Sequence, residues 1–386
     1  MSSAGHAEDP TSTFPKSHTQ ITGRNTMKKR TLLLALGATP AFIAQTAHGY
    51  ELEWVSDSNA VEWCSNTANI RYSAVSFPAG SAWTNALDDV IDIWNDNPSN
   101  FNFTTQMNDN NVWTGNSQNE TWFAAGDAST PPAECVSWWW PWGCFGETDV
   151  IFYNDVSYTT SSNRSSLTPY GGSNRPFQTT AMHEFGHALG LRHENDEYNI
   201  MGQDWDHINV NDETAQAYYG EDGGDGAVGL YGTNGGAGQD VSVAAWEWSG
   251  RSGEYSTHRA TRMFDTGGSH ISRSGTVDGQ RRYIVSDGQT VQVEFSYENN
   301  GRSTQTPEVG FYVSTNNNIT TWDDLIATRT PTIGRNSVYT RTYTVTLPSG
   351  LDTYDDYWLG AMIDHDNSIG EFNGSNNTAS LVFQVR

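Results

Sequence analysis

Basic residues are scarce in this 386-residue sequence, which has 20 Lys and Arg against 45 Asp and Glu and a formal net charge of −25. Lysine is absent after Lys29, so every later basic residue is an arginine. Proteins that bind nucleic acid need positive surface to neutralise phosphates. The charge balance therefore argues against a nucleic-acid partner.

Long apolar runs are missing as well. The stretch Thr31–Ala44 is apolar but too short to span a bilayer, and no other segment is apolar enough, so we expect no transmembrane span. It follows the basic run Met27–Arg30 and precedes small residues at Ala47–Gly49, which is the pattern of an export signal. We predict an unstructured extension over residues 1–26, a signal peptide over 27–49 and a secreted mature protein. The alternative is a buried N-terminal helix.

Cysteine occurs three times, as Cys64, Cys135 and Cys144. Disulfides are expected in an exported protein. Cys135 and Cys144 bracket a short loop, so we predict that these two form the disulfide and that Cys64 is left over. Pairing of Cys64 with either of the other two is the alternative.

One eleven-residue segment, His183–His193, carries chemical groups at a fixed spacing, H-E-x-x-H-x-x-G-x-x-H. It begins inside Thr179–Leu189, which has no proline and a single glycine and therefore predicts a helix. On a helix, His183 and His187 are four residues apart and lie one above the other on the same face. Their ring nitrogens can then share one metal ion.

The third histidine, His193, has to reach the same metal from beyond the helix. A continuing helix would carry it about 9 Å past His187, so the chain must turn, and Gly190 enters the left-handed region without cost. Three histidines leave the fourth position of a zinc ion for water, as in catalytic sites. Glu184 follows His183 and is placed beside the metal as a base. The alternative is a helix that carries histidines by chance.

This motif resembles that of the metzincins, a clan of zinc endopeptidases with a methionine turn after the third histidine. Tyr198–Gly202 contains Met201, eight residues after His193, as in the matrixin branch. The resemblance implies that Met201 forms an apolar floor under the zinc ligands; ordinary core packing is the alternative. The residue after the third histidine is Glu194, which is more typical of astacins than of matrixins. The sequence therefore does not decide the branch of the clan. The resemblance covers Glu51–Gly232.

The region around the motif predicts an α+β fold, with a twisted mixed sheet, helices and a zinc cleft, over residues 50–232. Besides the motif helix, apolar spacing and cap residues predict helices over Ser81–Asn95 and Asn211–Tyr219. Three runs predict strands in this region: Ile70–Phe77, Phe101–Thr105 and Asp149–Tyr153.

A tryptophan-rich segment lies between the last two cysteines. Trp138, Trp139, Trp140 and Trp142 are too many large rings for one short loop to bury. Exposed aromatic patches usually mark contact surfaces, so these four residues are candidate substrate contacts. A sugar or lipid surface is a second interpretation, and rings folded back onto the core are a third.

The character of the chain changes after a Gly-rich stretch, residues 233–239, which predicts a flexible linker. Short runs with turn residues between them predict an all-β sandwich over 240–386. These runs are Val241–Trp248, Thr290–Tyr297, Glu308–Val313, Thr342–Leu347, Tyr357–Ile363 and Ser380–Val385. Val293–Gly301 and Asp364–Asn377 resemble CARDB-type immunoglobulin-like domains, which implies an accessory domain for cell-surface or polysaccharide contact.

Two polar clusters, Asn108–Asn110 and Asp364–Asn367, have side chains that suit Ca²⁺. Neither has the twelve-residue EF-hand spacing, so ordinary polar turns are the favoured interpretation. Taken together, the sequence predicts a secreted, monomeric zinc endopeptidase that needs Zn²⁺ and acts on protein or peptide substrates. The alternative is an adhesion protein that uses the sandwich and the tryptophan loop, with a weakly active or inert zinc domain.

Overall fold

A computed structural model describes residues 50–52, 54–56, 59–127, 129–162, 175–194, 199–202, 208–211, 214–244, 261–278 and 280–386. All of them belong to one compact unit, Gln45–Arg386. The predicted N-terminal extension and signal peptide lie outside these ranges. Within these ranges, no helix has the length and apolar character needed to cross a membrane.

The first part of the described chain builds a mixed sheet after three short strands, β1 (Glu51–Leu52), β2 (Trp54–Ser56) and β3 (Asn59–Ala60). The sheet strands are β4 (Thr67–Ser73), β5 (Asn102–Asp109), β6 (Asn119–Ala124), β7 (Ala133–Trp139) and β8 (Phe145–Tyr153). Their order is β5-β4-β6-β8-β7. The first four are parallel, and β7 runs antiparallel to β8 at the edge.

Short strands follow the sheet along the chain. They are β9 (Tyr158–Thr159), β10 (Arg175–Pro176), β11 (Leu191–Arg192), β12 (Ile208–Asn211) and β13 (Thr214–Ala217). Only β9 and β10 pair in parallel among them, whereas β12 and β13 form an antiparallel hairpin and β11 pairs with β1.

Three α-helices occur in the described ranges: α1 (Ala82–Asn95), α2 (Phe177–Leu189) and α3 (Gly220–Tyr231). The predictions of α1 and α2 are confirmed. The hydroxyl of Ser81 accepts a hydrogen bond from the amide of Thr84 and caps α1. The indole of Trp94 on α1 donates to the carbonyl of Met182 on α2 at 3.0 Å, which fixes the two helices against each other.

The predicted helix over Asn211–Tyr219 is wrong. The chain forms the β12–β13 hairpin instead and begins α3 only at Gly220. Five glycines make α3 a poor helix by propensity, but they let it pack closely. A Cβ at Gly226 would lie 2.5 Å from the Leu191 side chain, so tertiary packing decides this helix. Strand predictions in this region were also incomplete, since β6 and β7 were missed.

The last part of the chain is all-β, as predicted. Its strands are β14 (Val241–Ala244), β15 (Arg262–Phe264), β16 (Arg273–Val277), β17 (Gln280–Val285), β18 (Thr290–Asn299), β19 (Val309–Ser314), β20 (Asp324–Arg329), β21 (Ser337–Thr346), β22 (Asp356–Ile363) and β23 (Thr378–Val385). One sheet joins β14, β15 and β21 to the central β18, and the other has the order β16-β17-β23-β22-β19-β20. A short 3₁₀ turn, Gly374–Asn376, precedes β23.

Two buried apolar clusters account for the packing. The first lies between Val61 and Tyr231 and joins α1 and α2 to the mixed sheet. The second lies between Val241 and Val385 and fills the space between the two sheets of the sandwich, where Phe295 and Phe311 approach to 6.4 Å between ring centroids. The prediction of an α+β fold followed by a β-sandwich is confirmed.

The segment 233–239 between the clusters is hydrogen-bonded on both sides. The amide of Asn234 donates to the carbonyl of Pro98 at 2.8 Å, and the amide of Phe372 donates to the carbonyl of Gln239 at 3.0 Å. The β12–β13 hairpin adds polar contacts to the sandwich. The side-chain amide nitrogen of Asn209, which is 2% exposed, lies 2.8–3.0 Å from three backbone carbonyl oxygens of the sandwich, those of Val243, Asn376 and Thr378, which share its two N–H groups.

Candidate metal centre

Helix α2 and the turn after it carry the metal-binding motif. The helix ends at Gly190, whose φ of 121° lies in the left-handed range that favours glycine. Space also requires glycine here, because a Cβ would lie 2.9 Å from the Leu230 side chain and 3.1 Å from the Val61 carbonyl oxygen. After this turn the chain runs back as β11 and leads directly into His193, as the sequence predicts.

The three motif histidines come together in space. The Nε2 atom of His183 lies 3.2 Å from Nε2 of His187 and 3.0 Å from Nε2 of His193. A tetrahedral zinc site with bonds of about 2.0–2.1 Å places its ligand nitrogens about 3.3 Å apart. The spacing of these nitrogens therefore fits one shared zinc ion.

Backbone carbonyls select the protonation state of two of these rings. Nδ1 of His183 lies 2.7 Å from the carbonyl oxygen of Ile200, and Nδ1 of His187 lies 2.7 Å from that of Leu191. A carbonyl can only accept, so each Nδ1 carries the proton and each Nε2 keeps its lone pair. Lone pairs that face each other this closely repel, and a cation between them removes that repulsion.

The surroundings of the three half-buried rings also keep them neutral. Desolvation lowers the pKa of His183 to about 3, and the neighbouring His193 adds to the shift. Desolvation also lowers the pKa of His187 well below its usual value and that of His193 to about 4, with Arg192 as a second cause for His193. Neutral imidazoles are the form that binds metal, so no proton has to be removed near neutral pH.

Glu184 lies on the same helix and is 7% exposed. Burial raises the pKa of its carboxyl to about 8; the positive charge of Arg175 opposes this shift, and the nearby Glu134 adds to it. The backbone amide of Cys135 on β7 donates a hydrogen bond to the carboxylate. A carboxyl whose pKa lies near neutrality can both accept and return a proton.

Met201, the predicted floor residue, is 1% exposed and lies under α2. A Cβ at Gly186 would be only 2.3 Å from the Met201 sulfur, so the methionine packs directly against this glycine. The turn is held by its own side chains, since the amide of Met201 donates to Oδ1 of Asn199 at 2.8 Å. The adjacent Ile200 supplies the carbonyl that accepts from the His183 ring.

The predicted disulfide between Cys135 and Cys144 is wrong. Cys144 is bonded to Cys64, and Cys135 is free. In the β7–β8 hairpin, Cys135 is opposite Val150, six residues from Cys144 along the strand. Six residues of strand span about 20 Å, far beyond the 7 Å limit for a disulfide between Cα atoms. Backbone pairing of Glu62 with the hairpin turn brings Cys64 to Cys144 instead.

The four tryptophans lie in two different environments, a strand and an exposed turn. Trp138 and Trp139 belong to β7, and Trp139 packs partly against the first apolar cluster. Trp140 and Trp142 lie in the turn after β7, stacked on each other and exposed by 36% and 63%. The segment therefore contributes both to the core and to the surface.

The two candidate calcium segments form hydrogen-bonded turns. Oδ1 of Asp109 accepts from the amide of Asn111, and Oδ1 of Asp364 accepts from the amide of Ser368. Across the described ranges, the three motif histidines are the single group of at least three His, Cys, Asp or Glu side chains whose ligand atoms converge within 4.8 Å.

Sequence reasoning missed the surroundings of Glu184. Glu134 and Cys135 reach it from β7, an edge strand that had not been predicted, and Arg175 reaches it from β10. No local pattern marks these residues, because their proximity to the helix depends on sheet topology.

Residues 81–222 match the family model of the matrixins, Peptidase_M10. No curated protein matches the chain. The chain is also similar to the crystal structure, in complex with di-metal ions, of a CARDB domain from Pyrococcus furiosus, with 17% identity, a TM-score of 0.23 and coverage of 38% of this chain and 94% of that one. A solution NMR structure of that domain matches with 17% identity, a TM-score of 0.21 and coverage of 32% and 93%. Over residues 81–222 the chain is therefore matrixin-like, and this match supports a zinc metallopeptidase.

Proposed function

We propose that the protein is a secreted endopeptidase that hydrolyses peptide bonds in proteins with a zinc-bound water. The observation that carries this proposal is the convergence of the Nε2 atoms of three histidines, with a buried glutamate on the helix that carries two of them. The matrixin match over 81–222 supports the same reaction class. Secretion rests on the predicted signal peptide at 27–49.

Each residue of the centre has a role in this proposal. His183, His187 and His193 hold Zn²⁺, which when bound polarises the scissile carbonyl and lowers the pKa of a coordinated water. Glu184 accepts a proton from the attacking water and returns it to the leaving amine. Met201 supports the helix from below.

The surroundings of Glu184 suit this proton transfer. Burial keeps bulk water from the carboxyl, and the amide of Cys135 fixes its orientation. A carboxyl that is free to rotate would lose part of this advantage, because catalytic groups act best when held in reactive geometry. The positive charge of Arg175 favours the carboxylate form of Glu184 and so limits the rise in its pKa.

Strand β7 offers a place for the substrate. It is at the edge of the sheet formed by the described strands and lies beside the helix that carries Glu184. An extended peptide can add to such an edge through backbone hydrogen bonds. A peptide paired with β7 would therefore pass close to the proposed base.

We also propose two domains, residues 50–232 and 240–386, joined by the Gly-rich segment 233–239. Each domain corresponds to one of the two buried apolar clusters. Calcium binding at either polar turn is not part of this proposal.

The test combines zinc content with casein cleavage by the purified mature protein. The wild type should contain one zinc per chain and lose cleavage when a chelator is added. Glu184→Gln should keep the zinc but lose cleavage by about 10²-fold or more, the usual contribution of a general base. Asp324→Asn, which changes an exposed carboxylate in the sandwich, serves as the control and should cleave normally.

Two results would contradict the proposal. Full cleavage by Glu184→Gln would show that Glu184 is not the base of the reaction. A wild-type protein that binds zinc but cleaves no protein substrate would leave the endopeptidase assignment without support.

A further inference from the structure

The turn between β7 and β8 presents aromatic rings to solvent. The rings of Trp140 and Trp142 are parallel, with an interplanar angle of 1° and centroids 5.1 Å apart. Trp142 is 63% exposed and Trp140 is 36% exposed, so both rings reach solvent. Exposed clusters of large aromatic rings are uncommon on soluble proteins and usually mark a binding surface.

The backbone holds this stacked pair in place. Cys144 in the turn is tied by its disulfide to Cys64. The amide of Glu62 donates to the carbonyl of Gly143 at 2.9 Å, and the amide of Trp140 donates to the carbonyl of Cys144 at 2.8 Å. A surface that is rigid before binding loses little conformational entropy when a ligand arrives.

Charge limits the partners that fit this surface. Between residues 50 and 232 the sequence has 26 Asp and Glu but only four Arg and no Lys. Single-stranded nucleic acid stacks on aromatic rings but also needs a positive groove for its phosphates. Anionic lipids likewise recruit basic segments. An acidic domain repels both, so the partner of the tryptophans should not be anionic.

Ring shape narrows the choice further. The flat face of an indole can cover the C–H face of a sugar ring, while the sugar hydroxyls at the rim stay in contact with water. A peptide laid on the same face would press its amide groups against an apolar surface without hydrogen-bond partners, which costs free energy. We propose that Trp140 and Trp142 form a binding site for a neutral polysaccharide.

This site is separate from the metal centre. Trp140 is five residues beyond Cys135, whose amide contacts Glu184, which corresponds to about 16 Å along an extended strand. A bound polysaccharide would hold the protein on a surface and leave the metal centre open. The proposal does not depend on the endopeptidase activity.

Binding to insoluble cellulose, chitin and starch tests the proposal, with vesicles of neutral and anionic phospholipid as comparison surfaces. The wild type should sediment with at least one of the three polysaccharides. Trp142→Ala and Trp140→Ala should each weaken this binding tenfold or more. Trp322→Ala, which removes a tryptophan that is 94% exposed on the sandwich, is the matched control and should bind within twofold of the wild type.

Salt gives an independent readout. Since the proposed contact involves no ion pair, binding should change little between about 0.1 and 1 M NaCl, where exposed charges become strongly screened. Thermal unfolding at the wild-type temperature would show that both tryptophan variants are folded.

Three outcomes would overturn the proposal. The first is a wild type that binds neither the polysaccharides nor the vesicles, and the second is unchanged polysaccharide binding by both turn variants. The third is a wild type that binds vesicles but none of the polysaccharides, which would identify the turn as a membrane contact.

Discussion

The substitution Gly186→Ala tests the packing of the metal-binding helix on the methionine turn. Gly186 lies inside α2 between two of the motif histidines, where a glycine is otherwise unfavourable. A Cβ at this position would approach the Met201 sulfur to 2.3 Å and the Trp94 ring to 3.2 Å. Both neighbours are buried, with 1% and 0% exposure, so little free space is available to them.

Two opposing contributions set the magnitude. Alanine gains about 1 kcal/mol over glycine inside a helix. An extra carbon in a packed core costs about 1–3 kcal/mol, and a contact this short puts the cost at the upper end of the range. We therefore expect a net loss of about 2 kcal/mol in the free energy of unfolding. At about 2–4 °C per kcal/mol, this loss corresponds to a fall of about 4–8 °C in Tm.

Thermal unfolding of the purified protein measures this loss, with Gly370→Ala as the control. Gly370 has no atom within 4 Å of an added Cβ and does not have a left-handed φ, so alanine should leave its Tm unchanged or raise it slightly. Zinc affinity should also fall in Gly186→Ala. A displaced Met201 moves the adjacent Ile200, whose carbonyl holds the His183 ring.

A Gly186→Ala protein that is as stable as the wild type, or more so, would refute the packing of Met201 under the helix. A double mutant adds a second check. Met201→Ala alone should cost about 2–5 kcal/mol, but less in the Gly186→Ala background, because the new methyl occupies part of the cavity.

Three further predictions follow from other parts of the fold. Cys64→Ser should lower the free energy of unfolding under oxidising conditions by about 4–5 kcal/mol in the chain-entropy model, because the lost disulfide joins residues 80 apart. The difference in Tm between the oxidised and the reduced protein should vanish in this variant. The same difference should persist in Cys135→Ser. Asn209→Ala should cost about 2–3 kcal/mol, since it leaves buried carbonyls of the sandwich without donors, and a urea titration that shows less than about 0.5 kcal/mol would contradict the contact. Burial, reinforced by Glu147, raises the pKa of Asp149 to about 9, so the folded protein keeps a proton that the unfolded chain releases near pH 4. The contribution of this group to the free energy of unfolding should therefore fall as pH rises from about 4 to 9. Asp149→Asn should flatten that slope when unfolding is measured as a function of pH.

Local patterns predicted the parts of the fold that depend on neighbours in sequence. Helix α1 follows from its apolar spacing and the Ser81 cap, and the end of α2 follows from Gly190. Helix α3 could not be predicted in the same way. Its five glycines disfavour a helix until the surfaces that they fit, such as the Leu191 side chain at Gly226, are in place.

The β12–β13 hairpin is a second element that local sequence patterns could not predict. Its sequence contains good helix-capping residues, which suggested a helix over Asn211–Tyr219. In the fold, the side-chain amide of Asn209 is satisfied by carbonyls of the sandwich, more than thirty residues further along the chain. A buried amide needs such partners, and they exist only once the sandwich has formed.

The sequence by itself identified the residues proposed as metal ligands, because helical geometry places His183 and His187 on one face and Gly190 permits the turn that returns His193. Only the tertiary structure decided which ring nitrogens face the metal position, how deeply Glu184 is buried and which cysteines pair. The first group of properties depends on residues a few positions apart, whose geometry the backbone fixes. The second depends on carbonyls, strands and side chains that are distant in sequence and come together only when the apolar core closes around them.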